Sequence, residues 1–305
     1  MDKRLLFVYN PRSGKGMIKQ HLMDIINVFT ENGYLVLVHP TQHVEDARQT
    51  VQRLASQVDL VVCSGGDGTL DETVSGLLRS GVDRPLGYIP SGSTNDFASS
   101  LMIPKDMVKA ARDIMHGQVY GCDVGRFNED TFVYIAAFGL FTDVSYMTDQ
   151  NLKNLLGHVA YLLEGVKRIF DIKSYHLHVE ANGEVFEGDY IYGMITNSRS
   201  VGGFKNLTGT NIEMDDGLFE VTLIRMPKNP LELNEIVGSL ISAIDDTDLV
   251  DTFKTDRIVI QGEEEIAWTL DGEYGGDSQK VVIENQKKSL HILLDSEKRA
   301  NEFTI

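Results

Sequence analysis

Ser64-Gly65-Gly66-Asp67-Gly68-Thr69 sets glycines and one carboxylate in a single turn. Before it, Asp59 to Cys63 is a short apolar, partly β-branched run of strand character; after it, Leu70 to Leu78 has helical spacing. Glycines between a strand and a helix permit positive φ and leave no Cβ in the way, so backbone N–H groups can turn towards a phosphate at the positive end of the helix. A carboxylate there repels phosphate unless a cation lies between them. Asp67 therefore suggests Mg²⁺, held directly or through water, against the plainer reading of a tight Gly-Asp-Gly turn. Four other stretches carry chemistry: Asn10 to Gly16, Pro90 to Asp96, Glu213 to Val221 and Trp268 to Glu273.

The elements around these stretches read as alternating strands and helices in the first half of the chain. Lys3 to Tyr9, Tyr34 to His39, Asp59 to Cys63 and Pro85 to Ile89 read as strands, with helices from about Met17 to Thr30 and Val44 to Ala55. Such alternation implies right-handed crossovers and a mainly parallel sheet, with ligands bound beyond the carboxyl ends of the strands. The loops at 10–16, 64–69 and 90–96 would gather on that edge. From about Val119 the pattern becomes a series of strand-like runs, with a hairpin signal at Asn182-Gly183. The fold expected is α/β: an N-terminal three-layer domain with a mainly parallel sheet, residues 1–122, and a β-rich, antiparallel, sandwich-like C-terminal domain, residues 123–294. A return of residues 295–305 to the first domain is left open by the sequence.

Composition narrows the function classes. A chain of 305 residues suggests two domains, and a net charge of −17 argues against nucleic acid as a partner and against general adhesion to an anionic membrane. Cys63 and Cys122 are the only cysteines, which suits a reducing cytoplasm. No signal-peptide core and no long apolar run is visible, so a cytoplasmic protein, at most peripheral at the inner membrane face, is expected. Gly-x4-Gly-Lys-Ser/Thr, Gly-x-Gly-x-x-Gly, Gly-x-Ser-x-Gly and Cys/His zinc patterns are absent.

Asn-Pro-x-Ser-Gly at 10–14, Gly-Gly-Asp-Gly-Thr at 65–69 and a Pro-x-Gly loop ending in Asn95-Asp96, in this order, resemble the diacylglycerol kinase catalytic family, which includes bacterial lipid kinases and sphingosine kinases. Leu270-Asp271-Gly272-Glu273 and Gly202-Gly203-Phe204 extend the likeness into the second half. Where many members have Gly-Thr-x-Asn-Asp, this chain has Gly92-Ser93-Thr94-Asn95-Asp96. The resemblance implies ATP and Mg²⁺ as cofactors. Asn10, Pro11, Arg12, Ser13, Gly14 and Thr41 would border the nucleotide, Gly65, Gly66, Asp67, Gly68 and Thr69 would cradle its phosphates, and Thr94 and Asn95 would contact it. Asp67, Asp96 and Asp123 would form a carboxylate–water–Mg²⁺ network; alternatively, Asp96 is a helix cap and Asp123 a solvated strand end. A structural Mg²⁺ would use Asp216, the Leu218 carbonyl and Glu213, unless Asp215-Asp216-Gly217 is a plain turn.

The function so implied is ATP γ-phosphate transfer to a lipid hydroxyl, with diacylglycerol the first acceptor. Asp67 would be catalytic through its metal, and Asp271 or Glu273 would accept the hydroxyl proton. NAD kinases share Gly-Gly-Asp-Gly-Thr and are the alternative enzyme class; a non-catalytic lipid or nucleotide sensor is the alternative outside enzymes. A lipid at the membrane surface is the expected partner, and long β edges suggest a homodimer. Leu152 to Phe170 reads as a helix with a broad apolar face, flanked by Lys153, Lys167, Arg168 and Lys173, either packed on the β domain or bordering a lipid entry.

Overall fold

The computed structural model describes residues 3–140, 173–198, 213–242 and 247–295. The helix expected at 152–170 and the Gly202-Gly203-Phe204 loop lie outside the described residues. The mixed α/β class expected from the sequence is borne out, with strands predominating. The chain divides into two compact units, one built from residues up to Asp123 with the described residues from Lys287 onward, the other from Val124–Gln286. The return thus begins at Lys287, where the sequence suggested residue 295.

The first unit runs β1 (Lys3–Tyr9), α1 (Ile18–Glu31), β2 (Tyr34–Pro40), α2 (Asp46–Leu54), β3 (Leu60–Gly65), α3 (Asp67–Ser80), β4 (Leu86–Pro90), α4 (Asp96–Ser100) and α5 (Met107–His116), and then enters β5 (Gln118–Phe127). β1 lies between β2 and β3, and β3 pairs with β4, all parallel. Registers Tyr9↔Pro40, Tyr9↔Ser64 and Gly65↔Pro90 bring the carboxyl ends of four strands to one edge. Leu5, Phe7, Leu60, Val62 and Ile89 pack against Ile18, Ile25 and Phe29 of α1 and Ala110, Ala111 and Ile114 of α5. The alternate positions Leu6, Val8, Val61 and Cys63 are equally buried, so both faces of the sheet are covered, as in parallel sheets generally. Both cysteines are buried and neither is in a disulfide, and burial pushes the Cys63 thiol up to about 12.

The second unit is antiparallel. It contains β6 (Asp130–Phe132), β7 (Ile135–Gly139), β8 (Tyr175–Ala181), β9 (Glu184–Thr196), β10 (Phe219–Arg225), α6 (Pro230–Ser242), β11 (Val250–Thr255), β12 (Arg257–Leu270) and most of β13 (Glu273–Leu294). β7 pairs with β9 and β12, and β8 pairs with the same two strands, which wraps these four around a core of Phe138, Tyr175, Leu177, Ile260 and Trp268. Asn182 and Gly183 both take positive φ between Ala181 and Glu184, the two-residue hairpin their types favour. Asp271 and Gly272 do the same between Leu270 and Glu273.

Two long strands read in the sequence as shorter pieces, Thr255 to Gln261 and Glu265 to Leu270 for β12, and Val281 to Glu284 and Ser289 to Leu294 for β13. β12 contains a register shift between Gln261 and Ile266, across Gly262 and three glutamates, which hides its period. β13 passes Gly275-Gly276 and Lys287-Lys288, residues that resemble turns. α6 was not expected, although Asn229 caps it by accepting the Leu231 and Glu232 amides and Pro230 suits a first helical position.

Candidate functional site

The polar loops of the first unit meet at the carboxyl edge of its sheet. Asn10 follows β1: its amide donates to the Ser64 carbonyl at 2.8 Å, its side-chain Nδ2 reaches Thr69 Oγ1 at 3.4 Å, and its Oδ1 accepts the Arg12 amide at 2.9 Å. Ser13 N–H turns back to the Asn10 carbonyl at 3.3 Å, and Thr41 N–H joins the Tyr9 carbonyl at 2.9 Å. The Ser91 and Gly92 amides both donate to the Gly65 carbonyl, at 2.8 and 3.2 Å. Pro11 to Gly14, Thr41, Gly65 to Thr69 and the 91–96 loop are therefore brought to one edge. Thr94 and the exposed Arg12 complete the sequence-predicted residues on these loops.

Glycine is required where the loops cross. A Cβ on Gly14, at φ +55°, would stand 2.4 Å from the Ser91 carbonyl oxygen. One on Gly92 would stand 2.5 Å from Gly66 Cα, and one on Gly65 would stand 2.3 Å from Thr69 Cβ. Gly66 precedes α3, so the amides of its first turn have no partner within the helix. This glycine cradle at a helix start fits a phosphate chain. The hydroxyls of Ser64 and Ser91, buried at the same edge with no hydrogen-bond partner among the described residues, are further polar groups suited to a ligand or water. Gly92→Ala is expected to separate the two loops and weaken ATP binding at least tenfold while the protein remains folded; calorimetric titration with a non-hydrolysable ATP analogue reads it.

Asn95 shapes its own loop. It sits at φ +54°, accepts the Gly92 amide at 2.9 Å through Oδ1, and returns Nδ2 to the Gly92 carbonyl at 2.8 Å. Both ends of its amide thus hold the loop in shape. Tyr88, which sequence reasoning missed, donates its hydroxyl to Gly65 O at 3.2 Å and Asn95 Oδ1 at 3.3 Å, tying β3 to this loop. Burial, with the charges of Asp67 and Asp96 nearby, keeps that phenol well above its ordinary range, so it stays a donor. Its only sequence signal was a polar hydroxyl in an otherwise apolar buried strand.

Asp67 opens α3 and accepts the Asp96 amide on Oδ2 at 3.2 Å, which joins the starts of α3 and α4. Asp96 is the first helical residue of α4, with Asn95 in the cap position. Asp123 is fully buried on β5 and accepts the Lys288 amide at 2.7 Å. Among the described residues no group of three or more His, Cys, Asp or Glu side chains could hold a metal ion. Mg²⁺ at phosphates characteristically takes one or two carboxylates and completes its shell with phosphate and water, so Asp67 and Asp96 fit it.

A second carboxylate anchors the Thr41 loop. Asp46 Oδ2 accepts the Gln42 amide at 2.7 Å, and Oδ1 lies 3.1 Å from His39 Nε2. Burial opposes the charge of Asp46, yet the Gln42 amide and His39 hold it below the usual carboxylate range. A lowered folded pKa gives stability that is present above the unfolded value, about 3.9, and lost as pH falls through the folded value. The melting temperature of the wild type is expected to drop more steeply below about pH 4 than that of Asp46→Asn, as scanning calorimetry across pH would measure.

The two carboxylates of Leu270-Asp271-Gly272-Glu273 separate cleanly. Asp271 is buried and accepts three backbone amides, from Val133 at 2.5 Å and from Tyr134 and Ile135 at 2.9 Å. Its own amide donates to the Ile135 carbonyl. Those donors stabilise the ionised carboxylate and occupy most of its lone pairs. Glu273 opens β13 with its side chain exposed.

The turn expected to hold a structural Mg²⁺ carries a protein cation. Asp216 Oδ1 accepts the Leu218 amide at 2.9 Å across Gly217, and Oδ2 lies 3.4 Å from Lys254 Nζ. Lys254 Nζ is also 2.9 Å from Glu220 Oε1, while Glu213 is exposed. Burial pushes Glu220 up to about 7, although Lys254 works against the rise.

Comparison with known proteins accords with this geometry. The family model for the diacylglycerol kinase catalytic domain matches residues 4–127. The diacylglycerol kinase of Bacillus subtilis (strain 168) is 32% identical over 300 residues, covering 97% of this chain and 98% of that protein. The diacylglycerol kinase of Staphylococcus aureus (strain JH9) is 34% identical over 280 residues, covering 90% and 88%. The solved structure of a diacylglycerol kinase from Bacillus anthracis (strain Sterne) aligns with a TM-score of 0.74 at 22% identity, covering 97% of this chain and 98% of that one, a likeness of fold.

Proposed function

The chain belongs to the diacylglycerol kinase family, and on that premise we propose that it transfers the γ-phosphate of ATP to the free hydroxyl of diacylglycerol, giving phosphatidic acid. The observation that carries the reading is the glycine crossing of Gly14, Gly65, Gly66 and Gly92, with Asp67 at the start of α3. Phosphoryl transfer asks a protein chiefly for positioning and charge neutralisation, which this edge supplies.

In this reading Asn10 to Gly14 and Thr41 border the nucleotide, with Thr94 against it, and the amides from Gly65 to Thr69 hold the phosphates. Asn95 and Tyr88 keep the loop in register. Asp67, Asp96 and Asp123 would be the carboxylates that hold Mg²⁺. Mg²⁺, when bound, draws charge from the phosphate oxygens and makes the phosphorus more open to attack. Glu273 takes the proton of the lipid hydroxyl as its oxygen bonds the γ-phosphorus and ADP leaves. Asp271, with its lone pairs given to backbone amides, holds the hairpin that presents Glu273.

No helix among the described residues is long and apolar enough to cross a membrane. The proposal has the enzyme in the cytoplasm, meeting its lipid peripherally at the inner membrane face. It includes a homodimer, which the edge strand β2 supports with exposed Leu35, Leu37 and Val38. An acceptor panel in mixed micelles tests the reading: diacylglycerol, phosphatidylglycerol, a sphingoid base, a prenol and NAD compete for labelled γ-phosphate. Diacylglycerol is expected to take the label, and preferential labelling of any other acceptor would overturn the substrate.

A further inference from the structure

The turn at 213–218 has the sequence of a divalent site, yet its geometry is that of an ion pair. In the antiparallel register of β10 and β11, Glu220 stands directly opposite Lys254. Opposite charges across such a pair attract, and here the attraction is strengthened because Glu220 is only 8% exposed. The ammonium also reaches back to Asp216, whose other carboxylate oxygen is already given to the Leu218 amide. Asn182 Nδ2 donates to the Lys254 carbonyl at 2.7 Å and fixes the strand that carries the ammonium. Lys254 therefore stands within ion-pair distance of both Glu220 and Asp216, the second of which is the carboxylate expected to hold a metal.

We propose that the resident cation of the Asp216 turn is the Lys254 ammonium and that the turn takes no divalent ion. Two physical points support this. Mg²⁺ demands near-octahedral oxygen coordination at about 2.0–2.1 Å, and the Asp216 carboxylate already meets the Leu218 amide on Oδ1 and the Lys254 ammonium on Oδ2. A dication placed beside it would also meet an ammonium a few ångströms away, and the two would repel. Divalent ions would then matter to catalysis at Asp67 but not to the integrity of the second unit.

The test uses Mn²⁺ as probe on the full chain without nucleotide, with bound ions counted by paramagnetic resonance. Asp216→Asn keeps the oxygen that accepts the Leu218 amide, so the turn is retained while the charge is removed. Wild type and Asp216→Asn are expected to bind the same number of Mn²⁺ ions with the same affinity. One ion fewer in Asp216→Asn would overturn the proposal. Lys254→Met supplies an independent readout: its melting temperature in EDTA is expected to fall by several degrees, because two carboxylates lose their counter-charge. A melting temperature equal to the wild type would also overturn it. Should Lys254→Met fail to fold, the ion count on wild type and Asp216→Asn still decides.

Discussion

Asp67→Asn is expected to lower kcat for phosphoryl transfer by about 10³-fold, near the upper end of what removing one electrostatic group from a reacting centre costs. The substitution isolates charge from shape. Asn retains a side-chain oxygen, so the Asp96 amide that now bonds Asp67 Oδ2 keeps its acceptor, and the starts of α3 and α4 stay joined. The glycine crossings beneath are untouched. What is lost is the negative charge that, in the proposed site, would let Mg²⁺ sit against the phosphates. ATP affinity without Mg²⁺ is expected to be unchanged or slightly higher, since a carboxylate beside phosphate is repulsive. Steady-state kinetics with a melting curve checks both halves: a folded Asp67→Asn protein with wild-type kcat would remove Asp67 from the metal site.

The second large effect divides the hairpin at 271–273. Glu273→Gln is expected to lower kcat by roughly 10²–10⁴, the usual worth of a positioned general base. The fold should be retained, since the side chain is exposed. Asp271→Ala is expected to act through stability. It strands the amides of Val133, Tyr134 and Ile135, all buried, and an unsatisfied buried donor costs about 1–3 kcal/mol. Denaturant unfolding of Asp271→Ala beside kinetics of Glu273→Gln separates the two roles. A stable Asp271→Ala protein without activity, paired with a fully active Glu273→Gln, would reverse the assignment.

The glycine-lined edge was legible because its pattern is local. Glycines between a strand and a helix have few other uses, and strand–helix alternation carries the loops to one edge. What stayed hidden depends on partners distant in sequence. Asn95 reads as a ligand contact until both ends of its amide are seen folding back on Gly92. Tyr88 has no pattern of its own; its role appears once β3 and β4 pair and its hydroxyl reaches Gly65. Asp271-Gly272 is both a turn signal and part of a family motif, and the sequence has no means of showing the amides of 133–135 that claim its carboxylate. The Glu220–Lys254 pair exists only through the register of β10 on β11. Strand lengths failed for a related reason: Gly275-Gly276 and Lys287-Lys288 look like stops, but cross-strand pairing carries β13 through them.

The central claim is that this chain moves phosphate from ATP to diacylglycerol with a divalent ion at Asp67. Its most direct test is single-turnover transfer of labelled γ-phosphate from ATP to diacylglycerol in mixed micelles, run with wild-type protein in Mg²⁺ and again in EDTA. Labelled phosphatidic acid should appear in Mg²⁺ and be abolished in EDTA. A protein that binds ATP yet forms no phosphatidic acid in Mg²⁺, or forms it equally well in EDTA, would contradict the account.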